Sequence, residues 1–83
     1  MSKPVKTFRI GSCSASVFQN DFDTKTGKRT FHSVSLQRRY QDEGGEWKNS
    51  NGFTLSDLPI AIRVLQLAQT YVEDQEAHVS QLV

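Results

Sequence analysis

From Asp57 to about Glu73 the apolar residues Leu58, Ala61, Val64, Leu65, Ala68, Tyr71 and Val72 recur at helical spacing, and Ile60, Ile62 and Leu67 widen the stripe. Polar residues are held mainly to Arg63, Gln66, Gln69, Thr70 and Glu73. A helix lying on one sheet needs an apolar arc of only about 100°, and this arc is wider, which predicts a second buried contact. A chain of 83 residues builds a small core, so a partner subunit would help it. The simplest second contact is the same helix of another copy, giving a two-fold homodimer through Ala61, Val64, Leu65, Ala68, Tyr71 and Val72. The competing arrangement is a helix deeply embedded in its own sheet. Ser56 is placed to cap a helix starting at Asp57, and Pro59 is tolerated in the first turn, where its missing N–H has no intrahelical partner.

Everything before this helix carries strand signals. Thr7 to Asn20 is rich in β-branched, aromatic and small residues and reads as one long strand interrupted by a bulge or bend at Gly11-Ser12. Within it Cys13, Ala15 and Val17 alternate with Ser14, Ser16 and Phe18, and the first set is the core face. Asp21 to Gly27 is turn chemistry with Phe22 at its tip. Lys28 to Tyr40 is the clearest strand, with His32, Val34 and Leu36 on one side and Phe31, Ser33, Ser35, Gln37 and Arg39 on the other. After the Asp42-Glu43-Gly44-Gly45 turn, Glu46 to Leu55 reads as a further strand, weakened near Asn49 to Gly52. The predicted class is α+β: a curved antiparallel sheet of about four strands (ββββα) backed by one C-terminal helix. Residues 1–7 form a flexible arm, 8–73 the single domain, and 74–83 a helix extension or tail.

The first residues lack the apolar core of a signal peptide, and no apolar run is long enough to cross a bilayer, which leads to the expectation of a cytoplasmic protein without a membrane partner. Cys13 is the only cysteine, so an internal disulfide and a four-cysteine zinc site are excluded. No metal-ligand spacing and no phosphate-cradling glycine loop occurs, and no metal or cofactor is expected. Catalysis needs an activated nucleophile or a tuned acid and base in mutual reach. The available groups are Cys13, His32, His78 and scattered carboxylates, and Cys13 and His32 both fall on apolar strand faces. The expectation is a binding module and not an enzyme.

Net charge is only +1, but it is segregated. Through Leu55 nine basic residues stand against five acidic ones, and beyond it Arg63 alone opposes Asp57, Glu73, Asp74 and Glu76. The face of the sheet turned away from the helix would carry Phe18 and Phe31 among Ser14, Ser16, Ser33, Ser35, Gln37 and Arg39. Aromatic rings give bases a stacking surface worth roughly 1–3 kcal/mol each, while Arg and Lys hold phosphates. This mixture suits single-stranded nucleic acid, with Lys28, Arg29, Arg38, Arg39 and Lys48 as the attracting charges. It does not suit duplex reading, because the one strong helix offers only Arg63 to a major groove. Phe18 and Phe31 would serve equally as a cross-strand pair or as anchors for a partner protein. Tyr40 and Trp47, flanking the turn, are either a hairpin clasp or stacking groups at the sheet edge.

The segment from Val34 to about Val72 resembles the DNA-binding domain of the eukaryotic transcriptional positive-cofactor family and its bacterial relatives, whose general logic the Whirly proteins share. The residues that carry the resemblance are Val34-Ser35-Leu36-Gln37-Arg38-Arg39-Tyr40, then Asp42 to Lys48 with its glycine turn and Trp47, then Gly52-Phe53-Thr54-Leu55 leading into the helix. The chain also looks like a set of small bacterial proteins with an aromatic near Phe18, an Arg-Tyr strand end, a tryptophan after the turn and an Asp-Leu helix start. The resemblance implies a curved sheet backed by a helix, dimerisation largely through that helix, and single-stranded DNA along the sheets. It implies Tyr40 as the stacking aromatic, Lys48 as a phosphate contact and Arg38 or Arg39 as a backbone clamp. Phe31 stands where that family tends to place a lysine. The expected partner is therefore single-stranded DNA or RNA, bound by a homodimer. The alternative is a protein-interaction or assembly module that uses the same aromatic face.

Overall fold

The computed structural model describes residues 3–76, and His78 and most of the expected tail lie outside them. Four strands, β1 (Lys6–Ile10), β2 (Cys13–Thr24), β3 (Gly27–Gln41) and β4 (Trp47–Ser50), form one antiparallel meander in the order β1-β2-β3-β4, followed by α1 (Leu58–Glu76). The ββββα class read from the alternation is what the chain adopts.

Gly11-Ser12 is a tight hairpin turn and not a bulge, because Ile10 pairs with Cys13 and Gly11 takes φ +57°. Glycine at the first central position of a two-residue hairpin loop fits the type II′ pattern. The expected long interrupted strand is thus two strands, and the expected N-terminal arm contributes Lys6 and Thr7 to the sheet. At the next turn β2 continues through Asp21 to Thr24, so the loop shrinks to Lys25-Thr26 and Phe22 lies within the strand. The Thr24 hydroxyl closes this loop, donating to Gly27 O at 2.6 Å and accepting from Thr26 N–H at 3.3 Å. The Asp42–Glu46 turn is held by Asp42, whose Oδ1 accepts the N–H groups of Gly44 and Glu46 at 2.9 Å each. Gly45 supplies the positive φ of +82° that this turn needs.

Beyond Ser50 the chain leaves the sheet, so the last strand is shorter than the expected Glu46–Leu55. Phe53 packs on the core instead, and Gly52 O accepts Arg38 Nε–H at 2.8 Å. The helix is initiated by Thr54 and Asp57, and not capped by Ser56. Asp57 Oδ2 accepts Thr54 N–H at 3.0 Å and the Thr54 hydroxyl at 2.7 Å, while Thr54 O accepts the N–H groups of Asp57 and Leu58. Leu55 O, which Pro59 cannot serve, is taken by Leu58 N–H at 3.3 Å.

The core lies between one sheet face and α1. Cys13, Ala15 and Val17 meet Ala61, Val64 and Ala68, all essentially inaccessible, with Phe8, Leu36, Phe53, Ile60, Tyr71 and Val72 packed around them. Two alanines on the helix and one on β2 let the backbones approach closely. Among the described residues no helix is long and apolar enough to cross a membrane.

Candidate nucleic-acid interface

Paired residues on neighbouring strands share a face, so the register sorts every side chain of the sheet. Cys13 opposite Arg38, Ala15 opposite Leu36 and Val17 opposite Val34 define the face under the helix. Ser14 opposite Gln37, Ser16 opposite Ser35, Phe18 opposite Ser33, Asn20 opposite Phe31 and Phe22 opposite Arg29 define the open face. The hydroxyl-rich, aromatic-bearing surface inferred from alternation is therefore one contiguous surface. β1 adds Thr7 and Arg9, opposite Ser16 and Ser14, and β4 adds Trp47 and Asn49, opposite Gln41 and Arg39.

At one end of this face Arg9, Ser14, Ser16, Gln37, Arg39, Trp47 and Asn49 enclose a concavity of about 350 Å³. Ser14 forms its buried floor. The Arg39 guanidinium stacks over the Trp47 ring at 5.0 Å, and Trp47 remains 58% exposed. The concavity brings two arginines, an exposed indole and a wall of hydroxyl and amide groups to one place.

The other end is a two-stranded ribbon. β1 pairs with β2 only as far as Val17, and β4 pairs with β3 only from Arg38, so Phe18–Thr24 and Gly27–Ser33 have no further strand beside them, and the end of α1 touches β3 at His32 through Glu76. On its open side Phe22 and Phe31 meet edge to face, with centroids 5.5 Å apart, and are 44% and 46% exposed. Phe18 sits half-buried at the ribbon's base.

Of the ten residues expected to contact nucleic acid, Phe18, Arg29, Phe31, Gln37, Arg39 and Trp47 lie on the open face. Lys28, Arg38, Tyr40 and Lys48 lie on the opposite face, by register. Arg38 bonds Gly52 O, lies 3.4 Å from Asp57 Oδ2 and covers the Tyr40 ring at 5.4 Å, and Lys48 Nζ is 3.2 Å from Asp42 Oδ2. These contacts tie Arg38, Tyr40 and Lys48 to neighbouring groups on the face opposite Arg39, Trp47 and Arg9. Arg9 joins the open face because Gly11-Ser12 is a two-residue hairpin turn, which the residues alone do not distinguish from a bulge. Phe22 joins the open face because β2 continues through it to Thr24, where the residues Asp21 to Gly27 read as a turn.

Of the six residues expected between subunits, Ala61, Val64 and Ala68 are spent on the chain's own sheet, and Tyr71 and Val72 are half-buried against it, with Tyr71 edge-on to Phe8 at 6.3 Å. Leu65 stays 39% exposed and Ile62 is 55% exposed. With Leu58 they form an uncovered stripe at helical spacing.

Of the groups weighed for catalysis, Cys13 and His32 do not meet, and His78 lies outside the described residues. Cys13 is buried and donates weakly to Asp57 O at 3.9 Å. His32 lies opposite Gln19, six residues along β2 from Cys13 and roughly 20 Å away at about 3.4 Å per residue. Its Nδ1 is 2.6 Å from Glu76 Oε2, an oxygen that also accepts His32 N–H at 2.8 Å. The ring hydrogen bond holds the Glu76 carboxyl below its usual pKa. Among the described residues no group of three His, Cys, Asp or Glu side chains is placed to hold a metal ion.

No family model, curated protein or solved structure matches this chain, and the chemistry of its two sheet faces carries the functional reading.

Proposed function

We propose that the chain binds single-stranded nucleic acid along the open face of its sheet, DNA in preference to RNA by the resemblance to the positive-cofactor domain, and does so as a homodimer. The observation that carries this reading is the concavity where Arg9 and Arg39 flank Trp47 over a floor of Ser14 and Ser16. Two fixed cations attract the backbone, the exposed indole offers a π-face to any base, and neutral hydrogen-bonding groups add contacts that do not select sequence. The acidic residues Glu73, Asp74 and Glu76 lie on the helix, behind the opposite sheet face, and do not repel a polyanion approaching the open one. The Leu58, Ile62 and Leu65 stripe supports dimerisation, because among the described residues the buried core is made by six other apolar residues and this stripe stays exposed. Chemical-shift mapping with a short oligothymidylate tests the assignment. Perturbations are expected at Arg9, Ser14, Gln37, Arg39 and the Trp47 indole N–H, and shifts confined to the α1 side would contradict it.

Partner-protein docking on the same face is favoured by one observation, the exposed Phe22–Phe31 pair. Salt separates the two readings. Phosphate binding weakens steeply as salt rises, while an aromatic-anchored protein contact changes little.

A further inference from the structure

The open face has two unlike ends. Arg9, Arg39 and Trp47 stand at one, and the three phenylalanines Phe18, Phe22 and Phe31 at the other. The Ser14, Ser16 and Gln37 wall of the concavity leads on to Ser35, which offers a hydrogen bond but neither charge nor a stacking surface, and Phe18, opposite Ser33, is the first ring of the ribbon. Arg39 is six residues along β3 from Ser33, the partner of Phe18, and eight from Phe31, roughly 20 and 27 Å at about 3.4 Å per residue. The molecule's long dimension of 52 Å accommodates this separation.

Resting on the single-strand reading above, we propose that the face is a two-station site, in which one strand engages the arginine–tryptophan station and the phenylalanine ribbon at the same time. A stacked strand advances about 3.4 Å per nucleotide, so bridging takes about six nucleotides to Phe18 and about eight to Phe31, and fewer if the strand is drawn out. A shorter oligomer reaches one station only. Once the strand spans both, the second contact becomes intramolecular and affinity steps up without a new kind of interaction. The serine tract between the stations has no ring for a base, so the middle nucleotides contribute little beyond their phosphates.

The ribbon gives this arrangement its physical logic. A two-stranded hairpin is only marginally stable by itself, and this one is supported from α1 near its base, where Glu76 bonds His32. Here its apolar surface is concentrated in Phe22 and Phe31, on the same side as the concavity. Bases stacked on these rings bury surface that the isolated chain leaves in water.

The test is a length series of oligothymidylates of 4, 8, 12 and 16 nucleotides, titrated at low salt against the full chain and against Phe22→Ala/Phe31→Ala. A further 12-mer carries abasic residues at its four central positions. The expected result is an affinity step of about tenfold or more between 4 and 12 nucleotides. The step shrinks in the double variant to the small statistical factor of added binding registers. The centrally abasic 12-mer binds within about twofold of the intact one. Binding that rises smoothly with length and equally in both proteins overturns the two-station site while leaving single-strand binding intact. A loss of about tenfold or more from the central abasic residues also overturns it. Absence of binding at every length removes the parent reading instead. Both phenylalanines are exposed, and circular dichroism of the variant confirms that its sheet is retained.

Discussion

The Arg39 guanidinium lies 5.0 Å from the centroid of the Trp47 ring, while the adjacent Arg38 turns to the other face and reaches Gly52 O and Asp57. Two neighbouring arginines, identical in charge, thus belong to different parts of the molecule, one aimed at solvent and one at the chain itself.

Trp47→Ala therefore weakens single-strand binding by about 1–3 kcal/mol, the value of one lost base stack. Arg39→Ala weakens binding and lowers the steepness of its salt dependence by about one unit, because one phosphate contact is gone. Neither substitution changes the melting temperature by more than a degree or two, since both side chains are exposed on the open face. Anisotropy titrations at several salt concentrations, with thermal melts alongside, check both statements.

Arg38→Ala behaves in the opposite way. It removes a charge-assisted hydrogen bond at 2.8 Å and an ion-pair contact at 3.4 Å that tie the loop before α1 to β3. A loss of about 1–2 kcal/mol of stability is expected, with oligonucleotide affinity of the folded protein unchanged. Denaturant melts and binding at a temperature well below the transition separate the two effects.

The alternation of β3 already contained this distinction. His32, Val34 and Leu36 point to the helix, and counting on by twos brings Arg38 and Tyr40 to the same side, whereas Phe31, Ser33, Ser35, Gln37 and Arg39 fall opposite. Lys48 follows Tyr40 as its cross-strand partner. Treating the Arg38-Arg39-Tyr40 run as one basic and aromatic patch loses the parity. Arg9 was less accessible to such counting, because its face is set by the positive φ at Gly11, which makes a hairpin where a bulge was equally consistent with the residues. The width of the helix's apolar arc was legible, but how it is divided was not. Ala61, Val64 and Ala68 turn inward because small side chains allow close approach to β2, and Ile62 and Leu65 are left outside.

That division yields a pair of opposed outcomes. Leu65→Asp introduces a charge on the exposed stripe and is expected to convert a dimer to a folded monomer, seen as a halved mass in sedimentation with the circular dichroism spectrum retained. Val64→Asp, one residue away, buries an unpaired carboxylate in the core and unfolds the chain. A wild-type protein that is monomeric at high micromolar concentration would contradict the dimer.

Acid should weaken the fold. Backbone and side-chain hydrogen bonds hold three carboxyls below their usual pKa: Asp42 through Glu46 N–H and Lys48, Asp57 through the Thr54 hydroxyl and N–H, and Glu76 through the His32 ring and N–H. A carboxyl whose folded pKa is depressed contributes stability that is fully present above its unfolded pKa and is lost as pH falls through the folded one. The melting temperature is therefore expected to be flat from pH 7 to about pH 5 and to drop below about pH 4. Asp57→Asn should lower it at neutral pH and shallow the acid drop. A melting temperature that rises on acidification would contradict these contacts.

The most direct test of single-strand binding is fluorescence anisotropy of a labelled ~20-nucleotide single strand, beside the matching duplex, at low and moderate salt. The open face predicts binding that favours the single strand and falls steeply as salt rises. Equal affinity for the duplex, or no binding to either at low salt, would contradict it.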